Sequence, residues 1–584
     1  MASRSRDRSQ QAMDAEPRAE IWPAQSRETD IYDQPRLTST SLELRDAEKR
    51  DGSGQSSTID VRDAEEIQYP YLTFETVLPA YTPHPSPEST QAPFPEQPDL
   101  RPYISPFLWP KAHKSVITCL SCAVTCLSAM GAGCYSPPAK ELAQLWGISH
   151  VVANLGITVF TTGFAIAPMV LAPFSEINGR KPMFILSGIL FSVCQMGCGL
   201  TNSFAGMLLA RFFLGVGGST FSTIVGGVLS DIYISEDRNT PMALFSGAAL
   251  FGTGLGPLIA SMIIYRVSWR WVFYSQAITG AVLTALIPIF FKETRGSVLL
   301  SRKAKVLNAW YEELEQAGYP CPSFSGNAGS EKVAQNRRIR WKVRSDEERE
   351  SLVKMISISL YRPFHLLVTE PVVFFFSLWV AFSWAILYLQ FGSIPLVFET
   401  NHNFNIQESG AVFAAICIGA IIATFMSIGQ EKLARRLGKM TSTPEGRLYF
   451  ACIESIAMPV GLFWFGWTSF SSIHWVVPTL AVGCATIGIF SIYLAVFNYL
   501  ADTYHRFASS ALAAQSFCRN LLGGIFPLVV TALFNNLGFP AASSLLGGIG
   551  ALLTIVPWVL VFYGPKIRAR SKIASEIMAS PEVD

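Results

Sequence analysis

Twelve apolar stretches punctuate the chain, at residues 115–135, 151–173, 182–200, 204–230, 241–264, 271–291, 371–395, 408–429, 448–467, 474–500, 509–533 and 541–563. Each is about as long as a helix that crosses a hydrocarbon core of roughly 30 Å. In lipid a backbone must satisfy its own polar groups, so a spanning segment is either a helix or a strand of a closed barrel. Continuous apolar runs of this length, without alternation, select helices. Only 15% of the residues are charged and 50% are hydrophobic, against about 25% charged in an average soluble domain. The expectation is an all-α polytopic membrane protein. Six spans, a charged segment over 292–370 and six more spans divide it into two six-helix halves, 111–291 and 371–563, the pattern of an internally repeated transporter.

The flanks read differently. Residues 1–110 are rich in Ser, Asp, Glu, Arg, Gln and Pro, hold no apolar run of spanning length and are expected to stay disordered. Lys and Arg concentrate in the even-numbered connections and in the tail 564–584, at Arg180, Lys181, Arg238, Lys432, Arg435, Arg436, Lys439, Arg447, Arg506, Lys566, Arg568, Arg570 and Lys572. The odd-numbered connections carry Lys140, Arg266 and Arg270. This asymmetry puts both termini and the central loop in the cytoplasm. Within that loop, "SVLLSRKAKVLNAWYEEL" and "SLVKMISISLYRPFHLLV" have the spacing of amphipathic helices lying on the membrane surface, and "YPCPSFSGNAGS" that of a linker. The net charge of +2 points to no nucleic-acid partner. Cys119, Cys122 and Cys126 share a helix face with no histidine nearby and read as small packing residues.

Several residues look out of place. "GTGLGPLIA", 252–260, puts three glycines and a proline inside a span, although proline in a helix interior costs about 3 kcal/mol relative to alanine. In lipid, small residues four apart let two backbones approach, and neighbouring helices satisfy the carbonyl that proline frees. Arg211 is a cation several residues inside span four, either paired and functional or snorkelling to the surface. "APFSEINGRKP", 172–182, sets Glu176 before a glycine turn at Gly179 and the pair Arg180 and Lys181, at a membrane surface where simple charge anchoring is the alternative.

These stretches resemble motifs of the major facilitator superfamily. Residues 172–181 resemble G-x-x-x-D-x-x-G-R-K, with Ala172 at the first glycine, Glu176 at the acid and Ile177 where a basic residue is frequent. Arg211 and Gly215 match R-x-x-x-G, with Leu214 in place of a frequent glutamine. Gly252, Gly256 and Pro257 match the antiporter motif G-x-x-x-G-P-x-x-G, with Ala260 at its last glycine. "RWVF", "KETRGSVLLSRKAKVL", "PEGRL", "GLFWFGWTSFSSIHWVVP" and "NYLADTYHRFASSALAAQSFCRNLLGGIFPL" are similar to elements of the fungal twelve-span drug:proton antiporters, over about residues 105–570. The resemblance implies a cytoplasmic gate latched by Glu176, Arg180 and Lys181, and proton coupling through Arg211. It also places spans five and eight together. The ladder Gly252, Gly256, Ala260 is then expected to slide on Ala411, Ala415, Gly419 and Ala423, with positions 256 and 415 face to face.

Polar and aromatic side chains at membrane depth outline a candidate cavity: Gln276, Trp379, Phe382, Trp384, Tyr388, Gln390, Asn498, Gln515, Arg519 and Asn520. Glu454 in span nine is either a proton site or a structural partner of a neighbouring polar group, and His474 reads as an interfacial residue. No His–Asp pair or metal cluster lies at membrane depth, so no enzyme and no cofactor is expected, the proton gradient serving as energy source. The expected function is proton-coupled export of a small organic molecule across the plasma membrane by a monomer, through alternating access. An exporter dedicated to one biosynthetic product and a non-transporting sensor are the other readings.

Overall fold

The computed structural model of the protein describes residues 67–78, 94–234, 236–317, 319, 338–436, 444–504 and 507–570. The rest of the N-terminal tail, the linker after Tyr319 and the end of the C-terminal tail lie outside the described residues. Among the described residues, twelve helices are long and apolar enough to cross a membrane. Spans one to six are Lys111–Gly133, His150–Asn178, Arg180–Leu200, Phe204–Ile232, Asn239–Arg266 and Arg270–Phe290; spans seven to twelve are Pro371–Asn401, Ile406–Ala434, Tyr449–Thr468, Val476–Tyr504, Ala508–Leu537 and Phe539–Ala569. Each lies on an expected stretch. The helices outrun the apolar runs, as in span seven, which carries Glu399 beyond the expected end at 395, because a helix continues wherever its polar side chains find partners.

The two halves repeat one packing pattern. Span one lies against five, two against four and three against six; in the second half seven lies against eleven, eight against ten and nine against twelve. The halves meet where span five packs on eight and span two on eleven. Hydrogen bonds cross between them at both ends. At the end shared with the central loop, Asn239 and Thr240 donate to Glu431 (3.0 and 3.2 Å), and Asn498 donates to Asn239 at 3.2 Å. Towards the far end, Ser136 donates to the Phe391 carbonyl, Asn154 to that of Pro527 and Thr158 to that of Gly524.

Span five corrects the expected seam. A Cβ at Gly252 would lie 2.3 Å from the Cys126 carbonyl oxygen, and one at Gly256 2.7 Å from that of Met130, so this ladder faces span one inside the first half. Span eight touches the other face of span five. There a Cβ at Gly254 would meet the Ile416 Cβ at 2.8 Å and the Cys417 Sγ at 3.1 Å, and one at Gly247 would meet Thr424. The small residues of span eight turn away as well: a Cβ at Gly419 would meet the Gly483 carbonyl of span ten. Positions 256 and 415 therefore do not face each other. Period-four spacing marks a stripe of close approach but not which neighbour fills it.

The loop end also departs from expectation. Helix Gly296–Gln316 turns Leu307, Trp310, Tyr311 and Leu314 towards protein rather than lipid. Residues 338–343 and part of the N-terminal tail cover it, with Leu72, Ile339 and Trp341 buried in the same cluster. Parallel bridges join Gln68 to Ile339 and Tyr71 to Lys342. The apolar residues Ile67, Tyr69, Tyr71 and Leu72 supply an edge that the average composition of the tail conceals. The second loop helix, Leu352–Thr369, packs on spans two and eleven and keeps Val353, Tyr361 and Val368 exposed, as a surface helix does.

Glu347 ties the tail segment down. It accepts from Lys342 at 2.8 Å and from the Tyr71 hydroxyl at 2.5 Å, which hold its carboxyl below the ordinary carboxylate range, the lysine bond first. A carboxylate with a depressed folded pKa stabilises the docked state above its free pKa and loses that effect as pH falls through the folded value. Docking of 67–78 should therefore weaken in acid. Burying Leu72 fully contributes about 1.5–3 kcal/mol. Deleting 67–78 is expected to expose helix Gly296–Gln316 to limited proteolysis, with the twelve spans resistant.

Candidate functional site

Arg211 is fully buried. Its Nε donates to the Gly156 carbonyl at 3.1 Å and its Nη1 to that of Gly131 at 2.6 Å, and the guanidinium carbon stands 4.8 Å from the Tyr135 ring and 4.6 Å from that of Phe160. Two backbone carbonyls and two aromatic faces thus replace its hydration. It does not snorkel. Its Nη2 has no partner.

Arg519 of span eleven is a second buried arginine, in the other half and 2% exposed. It packs against two neighbouring rings, Trp384 of span seven (4.5 Å) and Tyr493 of span ten (4.9 Å), whose centroids are 5.2 Å apart. Its Nη2 reaches Ser516 at 3.5 Å, and its Nε and Nη1 have no partner. Tyr388 stands within electrostatic range of both arginines. Of the expected cavity residues, Trp384, Tyr388 and Arg519 come together here, with Gln515 and Asn520 on the same helix as Arg519. Asn520 bonds to Ser516 within that helix. Tyr493 was not anticipated, because span ten holds three tyrosines and nothing in their spacing singles this one out.

Other expected members lie elsewhere. Gln276 accepts from Gln195 at 2.6 Å inside the first half. Trp379 stacks on Phe376, and Phe382 meets Phe526 edge-on. Gln390 borders a void of about 10 Å³ within the second half. Asn498 belongs to the loop-end contacts between the halves. Glu454 accepts from Gln430 of its own half. His474 caps the start of span ten, accepting from the Val476 amide at 3.4 Å.

A cavity of about 330 Å³ opens between the halves at the far end, bordered by His150, Asn154, Ser409 and Pro527 among others. Lys140 and Glu399 form an ion pair across it, joining first half to second. Neither lies within an apolar run, so spacing alone did not pick them out.

At the loop end, Arg180 pairs with Asp231 at 3.2 Å and bonds Ser175 at 2.6 Å, and Arg295 reaches the same aspartate at 3.4 Å. Glu293 accepts from the Arg180 and Lys181 amides (2.8 and 3.2 Å), capping the start of span three. Gly179 has φ +100°, and a Cβ there would lie 2.2 Å from the Glu293 Oε2, so the turn needs glycine on both counts. Lys181 donates to the Pro288 carbonyl. In this conformation Asp231 and Glu293 hold the basic pair, and Glu176 stands apart, half-buried.

Residues 121–527 match the family model of the Major Facilitator Superfamily. The chain is 30% identical to Multidrug transporter FLR1 of Candida glabrata over 484 residues, covering 80% of this chain and 81% of that protein. It is 33% identical to Efflux pump atB of Aspergillus terreus, covering 75% and 87%. Among solved structures, the proton:xylose symporter XylE bound to 6-bromo-6-deoxy-D-glucose superposes with a TM-score of 0.55 at 14% identity, covering 78% of this chain and 97% of that one, which speaks for the fold alone. With paired six-helix halves and buried arginines in spans four and eleven, this chain belongs to the major facilitator superfamily, in the branch of the fungal drug:proton antiporters.

Proposed function

We propose that the protein exports a small organic molecule across the plasma membrane in exchange for protons, with both termini and the central loop cytoplasmic. The observation that carries this reading is the span-five motif: Gly252 and Gly256 hold span one at backbone contact while Gly254, on the opposite face, receives span eight of the other half. A helix packed at close range on span one of its own half and on span eight of the other transmits rocking of one half against the other. The multidrug and efflux-pump relatives agree with outward transport.

Arg211 does not release its proton at physiological pH, so it acts as a fixed cation and the transported proton rides on another group. Glu399 has the best position for it, at the far-end cavity and bridging the halves through Lys140. Neutralising it breaks the pair and lets the outer end part. The reading is tested in energised cells expressing the full chain and loaded with cycloheximide, an uncharged drug. Efflux should stop when a protonophore collapses the gradient, and efflux indifferent to the protonophore refutes coupling. Glu399→Gln is expected to flatten the pH dependence of efflux, and Glu454→Gln to leave it as in the parent. The reverse result would return the proton to span nine.

A further inference from the structure

We propose that the cluster of Arg519, Trp384 and Tyr493 in the second half recognises an organic anion, a planar aromatic carboxylate or phenolate, with Arg519 as its charged anchor. This deepens the export reading and rests on it. Among the described residues no carboxylate lies within ion-pair distance of Arg211 or Arg519. Two buried cations without a counter-charge are costly in a low-dielectric interior. Arg211 is largely satisfied by two carbonyls. Arg519 is not: two of its three nitrogens are unpartnered, and the Trp384 ring lies 4.5 Å from the guanidinium. Two unpartnered donors of one guanidinium thus lie together in the interior.

A carboxylate supplies the missing acceptors. Its two oxygens match the guanidinium fork, and this pairing is among the strongest that a buried arginine makes. The rings of Trp384 and Tyr493, which lie side by side 5.2 Å apart against the guanidinium, offer adjacent apolar faces to the body of the ligand. An organic cation finds the opposite: two fixed positive charges and no carboxylate.

The test is equilibrium dialysis of radiolabelled naphthoate against the full-length protein in detergent, with its methyl ester and a naphthyl trimethylammonium as uncharged and cationic counterparts. Naphthoate should bind at least about tenfold more tightly than its ester, in line with charge-assisted hydrogen bonds. The cation should not compete. Arg519→Gln should cost about 10- to 100-fold in naphthoate affinity and leave ester binding unchanged, while Arg519→Lys recovers part of the loss. Retained ester binding shows that the variant is folded. Equal affinity for acid and ester, preference for the cation, or an Arg519→Gln variant that binds naphthoate like the parent overturns the proposal. So does absence of naphthoate binding in protein that still exports cycloheximide from cells, a result that leaves the export reading standing. Export of neither compound at normal surface density overturns the export reading itself.

Discussion

Gly254→Leu is expected to abolish efflux while the protein still reaches the cell surface. The single added Cβ already lies 2.8 Å from the Ile416 Cβ and 3.1 Å from the Cys417 Sγ, inside contact distance of span eight. A leucine pushes three further carbons into that seam. Overpacking in a core that cannot yield costs about 1–3 kcal/mol, but here the contact joins two halves that can part. The strain is relieved by holding them apart at spans five and eight, which biases the population about 10- to 100-fold away from the closed state. Gly256→Leu should fail differently. Its side chain meets the Met130 carbonyl and the Cys134 amide, backbone atoms of span one within the same half, so the first half itself is disrupted and surface protein falls. Comparing surface biotinylation with efflux separates the two outcomes. Gly254→Cys also places a thiol against native Cys417, and oxidation should cross-link them and arrest transport. Normal efflux by Gly254→Leu, or no cross-link under oxidation, would falsify the seam.

Arg211→Ala is expected to lower efflux by about a hundredfold or more, again with the protein inserted. Removing the guanidinium leaves the Gly131 and Gly156 carbonyls without their donors, at about 1–3 kcal/mol each, and opens a void beside Tyr135 and Phe160. Against this stands relief from burying an unpaired charge, of comparable size. The folded protein should survive the exchange. Transport should not, because the guanidinium is the link by which Gly131 of span one, Gly156 of span two and span four move together. Arg211→Lys keeps the charge but offers no planar fork for two divergent carbonyls, and should recover only a small part of the rate. An alanine variant with parental efflux would reduce Arg211 to packing. At the loop end, Asp231→Asn should slow turnover more than Glu176→Gln, because Asp231 holds both Arg180 and Arg295.

The twelve spans, the two halves and the buried arginines were legible in the chain, because each follows from the solvent. Lipid forbids unsatisfied backbone, so hydropathy over about 20 residues locates the helices. It also makes any charge at depth conspicuous, which is why Arg211 and Arg519 stood out. Which face of a helix meets which neighbour is different. In span five every residue from 252 to 257 is small, apolar or a breaker, and a pattern nearly apolar all round does not point anywhere. Gly252 and Gly256 went to span one and Gly254 to span eight because the curvature and tilt of the assembled bundle assign those contacts, and these arise from all the helices at once. The same holds for Lys140 with Glu399, for Arg180 with Asp231, and for Leu72 with Trp341, pairs remote in sequence. Short-range composition determines whether a segment leaves water; only the folded bundle decides which partner replaces the water it left.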